Sequence, residues 1–165
     1  MPLYRLLALV SLLAPLSAAP SPALLGAVGD GRVQAVRDLL AGGEDANTRS
    51  AAGRPVLAIA AARGNVRTLR ELLLAGADVN ATDQVGDTAL ISASSYGFAE
   101  VVNLLLFSGA DPNVKNSLGQ TALVRANLAG YPHIAAALKA AGAVEEAEEA
   151  DADDEAEPDK KKAPE

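Results

Sequence analysis

The sequence predicts an all-α solenoid of about four helix-turn-helix units with hairpin-like connecting loops, followed by an acidic disordered C-terminal tail. Gly31, Gly64, Gly97 and Gly130 recur at intervals of 33 residues, and so do Gly43, Gly76, Gly109 and Gly142. Leu39, Leu72, Leu105 and Leu138 keep the same register. A unit of this size cannot bury its own apolar face, so copies must stack and share one core. Such a stack points to holding another macromolecule rather than to chemistry.

In chain order, Met1 to Ala19 reads as an export signal. Arg5 and the amino terminus supply positive charge, Leu6 to Leu16 (LLALVSLLAPL) supplies the apolar run, and Ser17-Ala18-Ala19 supplies small residues for cleavage. Ser21-Pro22-Ala23 offers a second cleavage site. The run falls short of the roughly 20 residues needed to cross a bilayer as a helix, and Pro15 interrupts it near its end. The expectation is therefore no membrane span after cleavage. An uncleaved anchor is the alternative.

Residues 20–144 then form the repeat domain, in units of about 20–49, 50–82, 83–115 and 116–144, the first of them degenerate. Within a unit, Leu57, Leu90 and Leu123 stand three residues before Ala60, Ala93 and Ala126, which places each pair on one side of an inner helix. The alanines allow close approach of neighbouring helices. Gly64, Gly97 and Gly130 end these helices in a left-handed conformation. Val66, Leu69, Leu72 and Leu73 then set the apolar stripe of an outer helix. Thr88 and Thr121 are placed to cap the inner helices, whereas Pro55 stands in their register in the second unit and is compatible with a first helical turn. Asp78, Asn80, Asp111 and Asn113 suit local side-chain hydrogen bonds in the turns.

Glu145 to Glu165 holds 11 acidic residues against three lysines. Its lack of apolar periodicity and its single sign of charge argue for disorder. Without this tail and Arg5, ten acids and ten bases remain between Leu6 and Val144. That balance argues against a nucleic-acid groove, which needs concentrated positive charge. There is no cysteine, which excludes disulfides, thiolate metal sites and a cysteine nucleophile.

The remaining candidates for chemistry have plainer explanations. His133 is the single histidine and reads as a solvent-facing residue early in the last outer helix. Ser92, Ser94 and Ser95 lack the base and orienting group that nucleophilic catalysis requires. Gly26, Gly29 and Gly31 follow no strand and read as a helix end and turn rather than a phosphate loop. Asn80-Ala81-Thr82 fits turn chemistry better than glycosylation. The acidic tail lacks the glycine-centred loop of a calcium site. The reading is not an enzyme, with no catalytic residues, no metal and no cofactor.

Gly86-Asp87-Thr88-Ala89-Leu90 and Gly119-Gln120-Thr121-Ala122-Leu123, the leucine pairs Leu72-Leu73 and Leu105-Leu106, and Gly76-Ala77-Asp78-Val79-Asn80 with Gly109-Ala110-Asp111-Pro112-Asn113 closely resemble the ankyrin repeat family. Two departures are visible. Ala58, Ile91 and Val124 replace the family's usual histidine, and Pro55 replaces the capping threonine. The resemblance implies a concave recognition surface built from hairpin tips and the exposed side of the inner helices. By resemblance, it gathers Arg54, Gln84, Val85, Asp87, Ser95, Tyr96, Leu118, Gln120 and Leu128, with Ala51, Ala52 and Ser117 beside them. Tyr96, expected to be flanked by Val85, is its anchor. A small exported chain rich in Ala and Arg also resembles the periplasmic ankyrin proteins of Gram-negative bacteria. That implies a periplasmic or secreted monomer acting as a non-catalytic interaction module of the cell envelope for an exported partner protein. The alternative is a passive envelope scaffold or membrane-tethered spacer without a defined ligand.

Overall fold

The computed structural model describes residues 21–145. The expected export signal, and the expected tail beyond Glu145, lie outside the described residues. Within them the chain forms eight helices: α1 (Pro22–Gly29), α2 (Val33–Ala41), α3 (Val56–Ala62), α4 (Val66–Leu74), α5 (Ala89–Tyr96), α6 (Ala99–Phe107), α7 (Ala122–Leu128) and α8 (Pro132–Ala140). Odd-numbered helices pack on odd-numbered neighbours and even on even, while each consecutive pair packs on itself. The result is two parallel layers, an inner row and an outer row, with the core between them. No strand forms among the described residues beyond one bridge between Arg49 and Pro55.

Local chemistry explains where each inner helix begins. The hydroxyls of Thr88 and Thr121 accept from the amides of Ile91 and Val124 at 3.2 and 3.3 Å, and Ser21 does the same for Leu24 in α1. Each satisfies one of the amides that a helix start leaves unpaired. Pro55 offers no side-chain cap and stands just before α3. Instead, its extended backbone pairs with Arg49, and the Val56 amide donates to the Thr48 carbonyl. The second unit thus replaces a side-chain cap with a backbone one.

The reversal between the two rows depends on glycine for two separate reasons. Gly97 has φ of 79°, and the Phe98 amide donates to the Ala93 carbonyl at 3.0 Å, closing α5 as a Schellman-type cap. The ring of Tyr131, from the following unit, also lies directly on Gly97, so that a Cβ there would come within 2.5 Å of it. Phe98 covers Gly64 in the same way, and Asn65 covers Gly31. The first three reversals are therefore sealed by the residue that opens the next unit's outer helix, and Gly130, in the last unit, is left uncovered.

The leucine register lines the core, with one correction. Leu72, Leu105 and Leu138 are fully buried, but Leu39 is only half-buried. Its helix, α2, is the first of the outer row and packs on α4 alone in that row; α8 at the other end is equally one-sided yet buries Leu138 completely, so end position alone does not account for Leu39. In the turns, Asp78 and Asp111 accept locally from the amides of Asn80 and Asn113. The asparagines, expected to bond locally as well, instead reach the next unit. Asn47 accepts from the Asp78 amide, Asn80 from the Asp111 amide and Asn113 from the Val144 amide, at 2.8 to 2.9 Å. A residue type that looks like turn chemistry within one unit is a rivet between two. The first two outer helices are further joined by Arg37, which donates to Glu71 and holds its carboxyl below the ordinary range, chiefly through that hydrogen bond.

Candidate protein-binding surface

The connecting loops are built alike. Ser50, Asp83 and Asn116 occupy one register position, and each pairs by backbone with the residue four further on, Arg54, Asp87 and Gln120. The side chain at the first position then holds the turn: Asp83 Oδ1 accepts from the amides of Val85 and Asp87, and Asn116 Oδ1 from those of Leu118 and Gln120. Neighbouring hairpins are tied together as well. The Ser117 amide donates to the Val85 carbonyl at 2.9 Å, and Asn116 Nδ2 donates to Asp87 Oδ1 at 2.8 Å. The tips are thus fixed side by side rather than left as separate fingers, which lowers the ordering cost of binding anything against them.

Two arginines close on α5 from opposite sides. Arg54, from the second unit, places Nη2 3.4 Å from Ser92 Oγ, and its buried Nε has no hydrogen-bond partner among the described residues. Arg125, from the fourth, donates from Nε to Ser95 Oγ at 2.8 Å and from Nη1 to Gln120 Oε1 at 3.2 Å. Neither guanidinium meets a carboxylate in an ion pair among the described residues. Of the sequence-derived residues, Arg54, Asp87, Ser95 and Gln120 are partly buried and belong to this network, while Gln84, Val85, Tyr96, Leu118 and Leu128 are exposed. The first group shapes the surface, and the second is available for contact.

The exposed apolar residues form two subsets. Val85 and Leu118 crown adjacent hairpins, at 53% and 75% exposure; Tyr96 and Leu128 end adjacent inner helices, at 57% and 71%. Tyr96 is not flanked by Val85. Val85 precedes the start of α5 and Tyr96 is its last residue, so a helix of about 12 Å at 1.5 Å per residue separates them. The neighbour of Tyr96 is Phe98, whose ring centroid is 6.3 Å away. Arg125, partly buried, and Ser92, buried, belong to the framework beneath this surface and were not among the residues expected from the sequence. Their contacts depend on which inner helices adjoin, and no spacing within one unit reveals that.

A second exposed apolar pair lies elsewhere. Leu74 and Phe107 end α4 and α6 and are 78% and 91% exposed. Their signal was present in the sequence as a third apolar residue after each leucine pair, 33 residues apart. His133 is exposed near the start of α8, with its ring edge-on to Tyr131. Among the described residues, no three His, Cys, Asp or Glu side chains gather in a way that could hold a metal ion, and no helix is long and apolar enough to cross a membrane.

Comparison with curated proteins finds no match. The family model for ankyrin repeats (3 copies) matches residues 24–116, more than half of the 165 residues. The helix pair α7–α8 continues the same arrangement beyond that match, with the same cap at Thr121 and the same left-handed glycine at position 130. With its two helical rows, hairpin loops and glycine-closed reversals, the chain belongs to the ankyrin repeat family.

Proposed function

We propose that this protein is a non-catalytic interaction module of the bacterial cell envelope, which binds an exported partner protein through the side formed by its hairpins and inner helices. Ankyrin repeats are generally protein–protein interaction modules, and the finer reading rests on one observation. Four large apolar side chains, Val85, Tyr96, Leu118 and Leu128, are exposed on adjacent third and fourth units around a hydrogen-bonded arginine–serine framework. Apolar groups gathered on neighbouring repeats mark an interaction site more than scattered ones do. Tyr96 is the proposed anchor, because tyrosine joins large apolar area to a polar tip and recurs at binding hot spots. The export signal read at Met1–Ala19 supports an envelope location.

The test is a pulldown from periplasmic extract with the wild-type protein and with Tyr96→Ala. Tyr96 is an exposed residue at a helix end, so its loss is expected to leave the melting curve nearly unchanged. Binding of the recovered partner is expected to weaken by about 1 kcal/mol or more. Retention of the full wild-type pulldown profile by Tyr96→Ala, together with its loss on replacing Arg67 and Arg70 of α4, means that the partner uses the outer row instead. A leader found uncleaved by intact mass favours the tethered-spacer reading.

A further inference from the structure

We propose that the acidic C-terminal segment, residues 146–165, docks on Arg63, Arg67 and Arg70 of the second unit in the same chain. These three side chains are exposed and have no ion-pair partner among the described residues. Other cations are already engaged. Arg32 pairs with Asp30, Arg37 with Glu71 and Lys139 with Glu145; Arg49 donates to the carbonyls of Gly53 and Thr82. Arg54 and Arg125 are held by neutral side chains and share their side of the molecule with Asp83 and Asp87. The carboxylate of Glu71, next to Arg70 in the chain, is taken up by Arg37.

Arg67 lies in the first turn of α4, with Arg63 just before that helix and Arg70 one turn further along it. Arg63 reaches toward the first unit, with Nη2 3.9 Å from where a Cβ on Gly29 would stand. An open cavity of about 330 Å³, lined by Gly31, Val33, Asn65, Arg67 and Thr68 among others, lies at the start of α4. No side chain caps α4, and its first turn holds no acidic residue, whereas the third unit places Glu100 in the register position of Arg67. The helix dipole and free amides there attract an anion. The starts of α2 and α8 likewise lack a side-chain cap and an acidic residue; what sets the second unit apart is its three arginines without an ion-pair partner among the described residues.

The acidic segment has the charge and the length to supply that anion. Residues 146–165 carry ten acidic side chains and three lysines. The segment leaves the stack after α8, two outer helices from α4, a lateral distance of about 20 Å at 8–10 Å between helix axes. Adding one helix length of about 13 Å gives a diagonal of about 24 Å. Twenty residues can reach at most about 66–72 Å at 3.3–3.6 Å per residue, so the segment is long enough to cross this separation.

The chain has no cysteine, so a single spin label can be placed by Ala156→Cys in the full, ¹⁵N-labelled chain without altering its charge. At about 20 mM salt the label is expected to reduce the amide signals of residues 63–70 at least twofold relative to the reduced label, with recovery at about 0.5 M salt, where screening is severe. Adding Arg67→Gln and Arg70→Gln is expected to abolish the effect. The proposal is overturned by unreduced signals across 63–70, by reduction centred on Arg54 and Arg125, or by reduction that survives the two substitutions. It is equally overturned if ¹⁵N chains without label show the same loss when mixed with labelled ¹⁴N chains, since the occupant is then a second copy.

Discussion

Replacing Gly97 with alanine is expected to lower the stability of the stack by about 2 to 4 kcal/mol. Holding a non-glycine residue in the left-handed conformation costs about 1–2 kcal/mol, and Gly97 sits there at φ of 79°. The added methyl also collides with the Tyr131 ring, 2.5 Å from its Cζ. Tyr131 must therefore swing away and lose part of its burial, a further loss of about 1–2 kcal/mol. Gly130 is the control: its φ is 76°, but nothing lies within 4 Å of the new methyl, so Gly130→Ala is expected to cost only the conformational part. The two terms separate in a double-mutant cycle by urea denaturation. Gly97→Ala combined with Tyr131→Ala should show a coupling of about 1 kcal/mol. Equal losses for Gly97→Ala and Gly130→Ala, with no coupling, contradict the role assigned to the ring.

Leu105→Ala is expected to cost about 2 to 5 kcal/mol, the range for a buried leucine whose cavity cannot fully collapse. Leu105 is fully buried in α6, a helix covered by α4, α5 and α8. Leu39→Ala, the same change at a half-buried position of the first unit, should cost about half as much, since stabilisation follows the apolar area buried. Both variants are expected to unfold in one transition, because each repeat is held chiefly by its neighbours. A loss below about 1 kcal/mol for Leu105→Ala, or halves that melt apart, means that the stack is not built on this register.

How far the sequence revealed this structure depended on whether a residue acts within one unit or between two. The inner-helix caps at Thr88 and Thr121 and the glycine reversals follow from local chemistry, and each was legible from its immediate neighbours. Asn80 and Asn113 were misread because their partners lie 31 residues ahead, across a contact that intra-unit spacing does not describe. Leu39 departs from expectation for a related reason: register identifies the face a leucine shares with its equivalents but not how completely that face is covered. The surface follows the same division. Exposed Val85, Tyr96, Leu118 and Leu128 could be picked out by position, whereas the grip of Arg54 and Arg125 on α5 required the packed inner row. Tyr96 and Val85 are separate places because α5 lies between the hairpin tip and the helix end.

The most direct test of the recognition surface is amide hydrogen exchange of the full chain with and without the partner recovered from periplasmic extract. The account predicts slowed exchange in the hairpins spanning 83–88 and 116–121 and at the ends of α5 and α7, with α4 and α6 unchanged. Slowing confined to α4 and α6, around Leu74 and Phe107, contradicts it and moves recognition to the outer row.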